Sequence, residues 1–257
     1  MKTILNIFFI KFLWFVGFIT TFLFSCVNNQ NEIIKVDGIN IKILNKDQKY
    51  HDLNKIIFPY KDKIINLQDS IGYSKKNLSK IDGKLNSSLG NFLADVVLSE
   101  SNIIFEEKRS NNIDFCLLNF GGIRSNLNKG YITKNHMFSI MPFENKAVVA
   151  KIEGKKVLEL VNFLNNENIA HPVSGIKLKF NKTTIIDVII RGEKFDKNKN
   201  YYVVTSDFLL NGGDNMFFLK NPIETFSLEI GIREILINYV KKKDSVVSSV
   251  DDRIIRF

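Results

Sequence analysis

Tyr201–Asp214, Y-Y-V-V-T-S-D-F-L-L-N-G-G-D, starts as a β-branched and aromatic strand through Ser206 and ends in a Gly-Gly loop carrying a carboxylate. Asn119–Asn128, N-F-G-G-I-R-S-N-L-N, repeats the plan with opposite charge, following an apolar stretch, Asp114–Leu118, that also reads as a strand. The chain between and around them mixes helical and strand periodicities without strict strand–helix alternation. That pattern predicts an α+β fold, a single domain in which a mixed sheet is packed by helices.

Helices are expected from about Tyr50 (Ile56, Ile57, Tyr60, Ile64, Leu67, with Pro59 in the first turn) and after the candidate caps Ser87 and Ser88 (Leu89, Phe92, Leu93, Val96, Val97, ending near Ser101-Asn102). Two more are expected, one after Gly154 and one over about Ser227–Lys243, burying Leu228, Ile232, Ile235, Leu236 and Tyr239. Strand character marks Tyr131–Thr133, Ala147–Ile152, Gly175–Phe180 and Thr184–Ile190, and Met137–Phe143 is a short segment between two of them.

The 257 residues, 45% hydrophobic and 25% charged, supply one sizeable core. The formal charge of +9 is spread along the whole chain instead of forming a stripe, so a nucleic-acid partner is not expected. Lys2 and Lys11 precede an apolar run, Phe12–Phe24, too short for a membrane span of about 20 residues but suited to a secretory signal. Leu23-Phe24-Ser25-Cys26 resembles a lipobox, which makes residues 1–25 a lipoprotein signal peptide and Cys26 the expected lipidation site. Residues 26–49 then form a tether or a short edge strand, and 50–257 the folded domain, an exported lipoprotein on the periplasmic face of a bacterial membrane or on the cell surface. With Cys26 lipidated, Cys116 has no disulfide partner and is expected as a buried hydrophobe.

The two loops carry the binding chemistry. Arg124 presents a fork of donors for phosphate, carboxylate or sugar hydroxyls, and Gly121-Gly122 permit close backbone approach. Asn119 can both donate and accept, which suits a base edge, and Asp214 can accept two hydrogen bonds from a vicinal diol. The opposite charges of Arg124 and Asp214 are equally compatible with a structural salt bridge. Phe143 and Phe208 flank the loops and, facing each other, would form a slot for a planar base. His51, His136 and His171 have no histidine or cysteine neighbours at ligand spacing, so no metal site and no catalytic residue are expected here. No nucleophile elbow or phosphate-cradling P-loop is present either.

Seven segments in order, P-Y-K-D-K (59–63), L-G-N-F-L-A-D (89–95), N-F-G-G-I-R (119–124), G-Y-I-T (130–133), M-P-F-E-N (141–145), S-G-I-K-L (174–178) and the 201–214 stretch, resemble the C-terminal, substrate-binding domain of the secreted 5′-nucleotidase and UDP-sugar hydrolase family. The resemblance covers about Phe58–Phe257. It implies a clamp on the base by Phe143 and Phe208, a base contact by Asn119, ribose or phosphate contacts by Arg124 and Asp214, and Gly175 lining the site beside the base. The family pattern has glycine where this chain has Phe120, and an arginine near Lys84-Leu85 that this chain lacks; Lys84 is the candidate substitute. In that family hydrolysis belongs to a separate N-terminal domain with two metal ions. The expected partners are therefore a nucleoside or nucleotide, a separate metallophosphatase chain that holds the divalent metals, and a membrane through the N-terminal lipid. A nucleoside-capturing lipoprotein for uptake or sensing, and a drifted relic domain, are the alternatives.

Overall fold

In the computed structural model, residues 11–12, 14–15, 55–58, 60–61 and 66–257 are described. The chain divides into two units, Met1–Tyr50 and His51–Phe257. The second carries the β-sheets and the candidate site. Residues 55–58 and 60–61 are helical, within the first expected helix. Pro59, the tether or edge strand 26–49 with Cys26, and the signal segment 1–25 as a whole lie outside the described residues.

The elements run β1 (Ser70–Ser74), α1 (Ser88–Arg109), β2 (Phe115–Leu117), β3 (Gly130–Thr133), α2 (Lys134–Ile140), β4 (Lys146–Glu153), α3 (Gly154–Glu167), β5 (Val173–Ser174), β6 (Ile176–Asn181), β7 (Thr184–Ile190) and β8 (Glu193–Lys194). They continue as β9 (Asn200–Ser206), α4 (Asp207–Leu210), β10 (Glu224–Gly231), α5 (Ile232–Lys242), β11 (Ser245–Val246) and β12 (Ile254–Arg256). A mixed five-stranded sheet, β10-β4-β9-β2-β5, forms the centre: β4 and β9 pair antiparallel, β9 and β2 parallel. Two smaller mixed sheets, β11-β1-β3 and β12-β6-β7-β8, complete the strand pairing.

The single core expected from composition is divided in two by the central sheet, because alternation along its strands sends apolar side chains to both faces. Cys116, Val149 and Val204 join Leu89, Phe92 and Leu93 of α1 and Ile232, Ile235 and Leu236 of α5. Their strand neighbours Phe115, Leu117, Ala150 and Val203 point the other way, toward Val157, Leu160 and Val161 of α3 and the strands β6 and β7. Because both faces are covered, β2 is buried at every position. Cys116 is fully buried, and loss of hydration pushes its thiol pKa up, which suits a packing role.

Two expectations need correction. The helix begun at the Ser87 cap, where the Gly90 amide donates to Ser87 Oγ at 3.1 Å, does not stop near Ser101-Asn102 but reaches Arg109. Ser101 and Phe105 are both buried, so the core-facing stripe continues through a polar residue. Asn102 accepts from the Ile113 amide at 2.7 Å, bracketing the return turn from the helix side. The C-terminal helix starts at Ile232 rather than near Ser227. Glu224–Ser227 pair with Val148–Lys151 as a strand, and a bulge before Gly231, with Glu229 at φ +57°, redirects the chain. Leu228 is thus buried from a strand.

Candidate nucleotide-binding site

β2 ends where the Leu118 amide donates to Pro172 O at 2.9 Å, which frees the chain to turn at Asn119. Residues 120–122 form one 3-10 turn, closed by Gly122 N–H to Asn119 O at 3.2 Å and Ile123 N–H to Phe120 O at 3.1 Å. Beyond it the buried Ile123 anchors the loop, and the Arg124 amide donates to Ile140 O at 2.9 Å. Asn119 is 8% exposed and its Nδ2 donates to Asp214 Oδ2 at 2.7 Å, joining the two loops. The glycines explain how this is possible. A Cβ on Gly122 would stand 2.8 Å from Asn119 Oδ1, and one on Gly121 3.2 Å from Asp214 Oδ2. They clear space for the two polar side chains.

The second loop is shaped by its own backbone. Ser206 caps the single turn of α4 by accepting from the Leu209 amide at 3.1 Å, and that turn presents Phe208, 44% exposed, to solvent. Gly212 then takes φ +86°, followed by Asp214 at +50° and Asn215 at +60°, left-handed values that Asp and Asn accept more readily than other side chains. A Cβ on Gly213 would lie 2.4 Å from the Phe208 ring, so the ring lies directly over bare backbone.

Phe143 comes from the loop after α2. Arg233 of α5 holds that loop: its Nη1 donates to Met141 O at 3.1 Å and to Phe143 O at 3.3 Å, and its guanidinium pairs with Glu144 and lies 3.9 Å from the Phe138 ring centroid. The three segments meet around a cavity of about 220 Å³ lined by Asn119, Gly121, Gly122, Arg124, Phe143, Asn145, Phe208 and Asp214. That is smaller than the roughly 300 to 1,000 Å³ of clefts that enclose drug-sized ligands, and suits a flat group with the rest of the ligand outside. Phe143 and Phe208 are each about two-fifths exposed there. Among the described residues neither ring pairs with another aromatic ring; the Arg124 guanidinium stands 5.1 Å from the Phe143 centroid. Asp214 bonds to Asn119 and, among the described residues, forms no ion pair with Arg124, so the salt-bridge alternative does not describe the loops.

Gly175 is placed elsewhere. It turns the chain between β5 and β6 at φ +77°, where a Cβ would meet Asp114 O at 2.5 Å, and it lines a different cavity with Asp95, Arg191 and Arg253. Its requirement is backbone conformation, which a motif match cannot distinguish from ligand proximity. Lys84 also lies apart, exposed beside the buried Leu85 and Asn86 at a different cavity. The cation beside the first loop is instead Lys80, whose Nζ donates to Ile123 O at 2.6 Å and sits 4.1 Å over the Phe120 ring. Burial, and then the neighbouring Arg124 charge, lower its pKa. Nothing in the local sequence marks Lys80 because the approach depends on a 43-residue separation. Asn145 and His171 likewise carry no local signal of a site. His171 accepts the Phe120 N–H at Nδ1, 3.2 Å away. Among the described residues no group of three or more His, Cys, Asp or Glu side chains is placed to hold a metal ion.

The fold is shared with part of solved 5′-nucleotidase structures. A 5′-nucleotidase precursor from Thermus thermophilus superposes with a TM-score of 0.66 at 25% identity, over 80% of this chain and 43% of that one. An NAD nucleotidase from Haemophilus influenzae superposes at 0.61 and 20% identity, over 80% and 41%, and shares the fold. In sequence, the chain is 26% identical over 189 residues to an apyrase of Tabanus yao, covering 65% of this chain and 34% of the apyrase. It is 28% identical over 200 residues to a cell wall protein of Listeria monocytogenes, covering 68% of this chain and 25% of that protein. A trifunctional nucleotide phosphoesterase of Bacillus subtilis is 25% identical over 252 residues, 88% of this chain and 17% of the phosphoesterase. The chain therefore spans about a third or less of the length of these relatives. Residues 70–221 match the model of the 5′-nucleotidase C-terminal domain, and the chain belongs to that family.

Proposed function

We propose that this domain binds a nucleoside or nucleotide, with the base between Phe143 and Phe208, Asn119 on the base edge, Asp214 on the ribose hydroxyls and Arg124 toward the sugar or phosphate. The observation that carries this reading is convergence: seven candidate residues from three separate segments line one cavity. Exposed aromatic faces of this kind stack a base for about 1 to 3 kcal/mol each. Arg124 is the cation on the cavity wall available to a phosphate, and Lys80 adds positive charge from behind the same loop.

In this reading hydrolysis is supplied by a separate dimetal phosphatase chain, because phosphoryl transfer needs cations on the transferring group. Export is part of the reading and is supported by a relative named as a cell wall protein; lipidation at Cys26 is proposed on the N-terminal sequence pattern alone. The first test is calorimetric titration of the domain with adenosine, uridine and AMP, followed by a phosphatase assay with added divalent metal. Saturable binding without turnover is expected, with AMP tighter than adenosine. Absence of binding to all three would reject the site.

A further inference from the structure

We propose that His171 is a positioning residue for the site: a neutral imidazole, protonated at Nε2, whose Nδ1 accepts the Phe120 N–H and fixes the turn that carries Asn119, Gly121 and Gly122. The inference rests on the nucleoside-binding reading for its consequence, but its geometry stands independently.

The imidazole is 4% exposed and is not among the residues that line the cavity, so it supports the turn from behind. Phe120 opens the 3-10 turn, so its amide has no partner within that turn, and the bond to Nδ1 at 3.2 Å supplies one. An acceptor at Nδ1 requires the ring proton on Nε2. Nε2 is buried and has no hydrogen-bond partner among the described residues. The ring is boxed by Phe163 of α3, with centroids 5.7 Å apart, and Phe163 in turn packs on Phe218. The segment's other fixed point is Pro172 O, which accepts from Leu118 at the end of β2. A two-residue stretch thus braces both the strand end and the turn that follows.

Protonation would undo the brace. A proton on Nδ1 turns the acceptor into a donor facing the Phe120 N–H, and the turn or the ring must move. Asn119 adjoins Phe120 and its bond to Asp214 joins the loops, so the displacement reaches the cavity wall. Asp214, on the second loop, is the charged group whose field reaches the ring and favours its protonation; Phe163, Phe218 and Pro172 carry no charge. Desolvation opposes Asp214 and prevails, holding the imidazole pKa down to about 4.

The test uses the full chain uniformly labelled with ¹⁵N. Imidazole spectra should show His171 in the Nε2–H form, unchanged from pH 7 to about pH 5, and the Phe120 amide resonance should shift strongly in His171→Phe. Titration near the ordinary histidine value, an Nδ1–H tautomer, or an unmoved Phe120 amide would overturn the proposal whatever the ligand. At pH 7, uridine binding should weaken about tenfold in His171→Phe and His171→Gln. It should stay within about twofold of the parent in His171→Asn, whose amide oxygen occupies the place of Nδ1. Equal losses in all three variants would also overturn it. Failure of the parent chain to bind uridine, adenosine or AMP would defeat the binding reading alone, and the imidazole spectra would still decide the role of His171.

Discussion

The two glycine loops look alike in sequence and are built differently. The 119–124 loop is held from outside: His171 takes the Phe120 amide, Lys80 donates to the Ile123 carbonyl, and the core takes the Ile123 side chain. The 208–214 loop is held from within, by the Ser206 cap, the left-handed residues at 212, 214 and 215, and a Phe208 ring lying on Gly213. Gly-Gly in the first makes room for polar side chains; in the second it makes room for an aromatic face. One loop depends on distant packing and the other on local backbone chemistry, so they should fail under different perturbations.

The largest expected difference is in pH response. Folded His171 protonates near pH 4 and an unfolded histidine near 6.5, so below pH 6.5 the unfolded chain binds a proton that the native chain refuses. This contribution is complete above about pH 6.5 and is lost as pH falls toward 4, removing up to about 3 kcal/mol of stability at roughly 1.4 kcal/mol per unit. Urea unfolding at pH 7 and pH 4.5 should reveal it in the parent chain, and His171→Asn should remove this part of the pH dependence.

Next comes Gly213→Ala. The added Cβ evicts the Phe208 ring, so nucleoside affinity should fall by about 1 to 3 kcal/mol, as in Phe208→Ala, with little change in melting temperature. A large stability loss with unchanged binding would make Phe208 a core residue instead.

Asp214→Asn should cost adenosine about 1 kcal/mol while leaving adenine unaffected, because only the ribose needs the charged acceptor. Equal loss for both ligands would refute the diol contact. Smallest is Ser206→Ala, which removes a cap worth about 0.5 to 1 kcal/mol of stability; a thermal melt checks it. It should leave the Phe120 amide resonance in place if the loops are supported separately.

The readings that match the structure best are periodic and local. Thr184–Ile190 is a strand over the range its composition indicates, and Leu89, Phe92, Leu93, Val96 and Val97 line one buried face of α1. The readings that miss place Ser101-Asn102 at a helix end and Ser227 inside a helix. In both, tertiary packing overrides the local signal: burial of Ser101 and Phe105 carries the helix on, and the β4 backbone takes Ser227 into a strand. Site candidates behave in the same way. Residues adjacent to the Gly-Gly pairs reach one cavity, whereas Gly175, taken from a motif alone, belongs to another part of the surface.

By itself the sequence determined the α+β class, the two glycine loops and the side chains they could offer, because periodicity, β-branching and glycine act over a few residues. Only the tertiary structure decided which of those side chains share a cavity, that Asp214 bonds Asn119 rather than Arg124, and that Lys80 and His171 stand behind the first loop. Those outcomes depend on contacts between residues 43 to 95 positions apart, set by how the strands order in the central sheet and how helices cover its faces. Hydrogen-bond geometry and desolvation at such contacts are properties of the packed chain, and no local pattern encodes them.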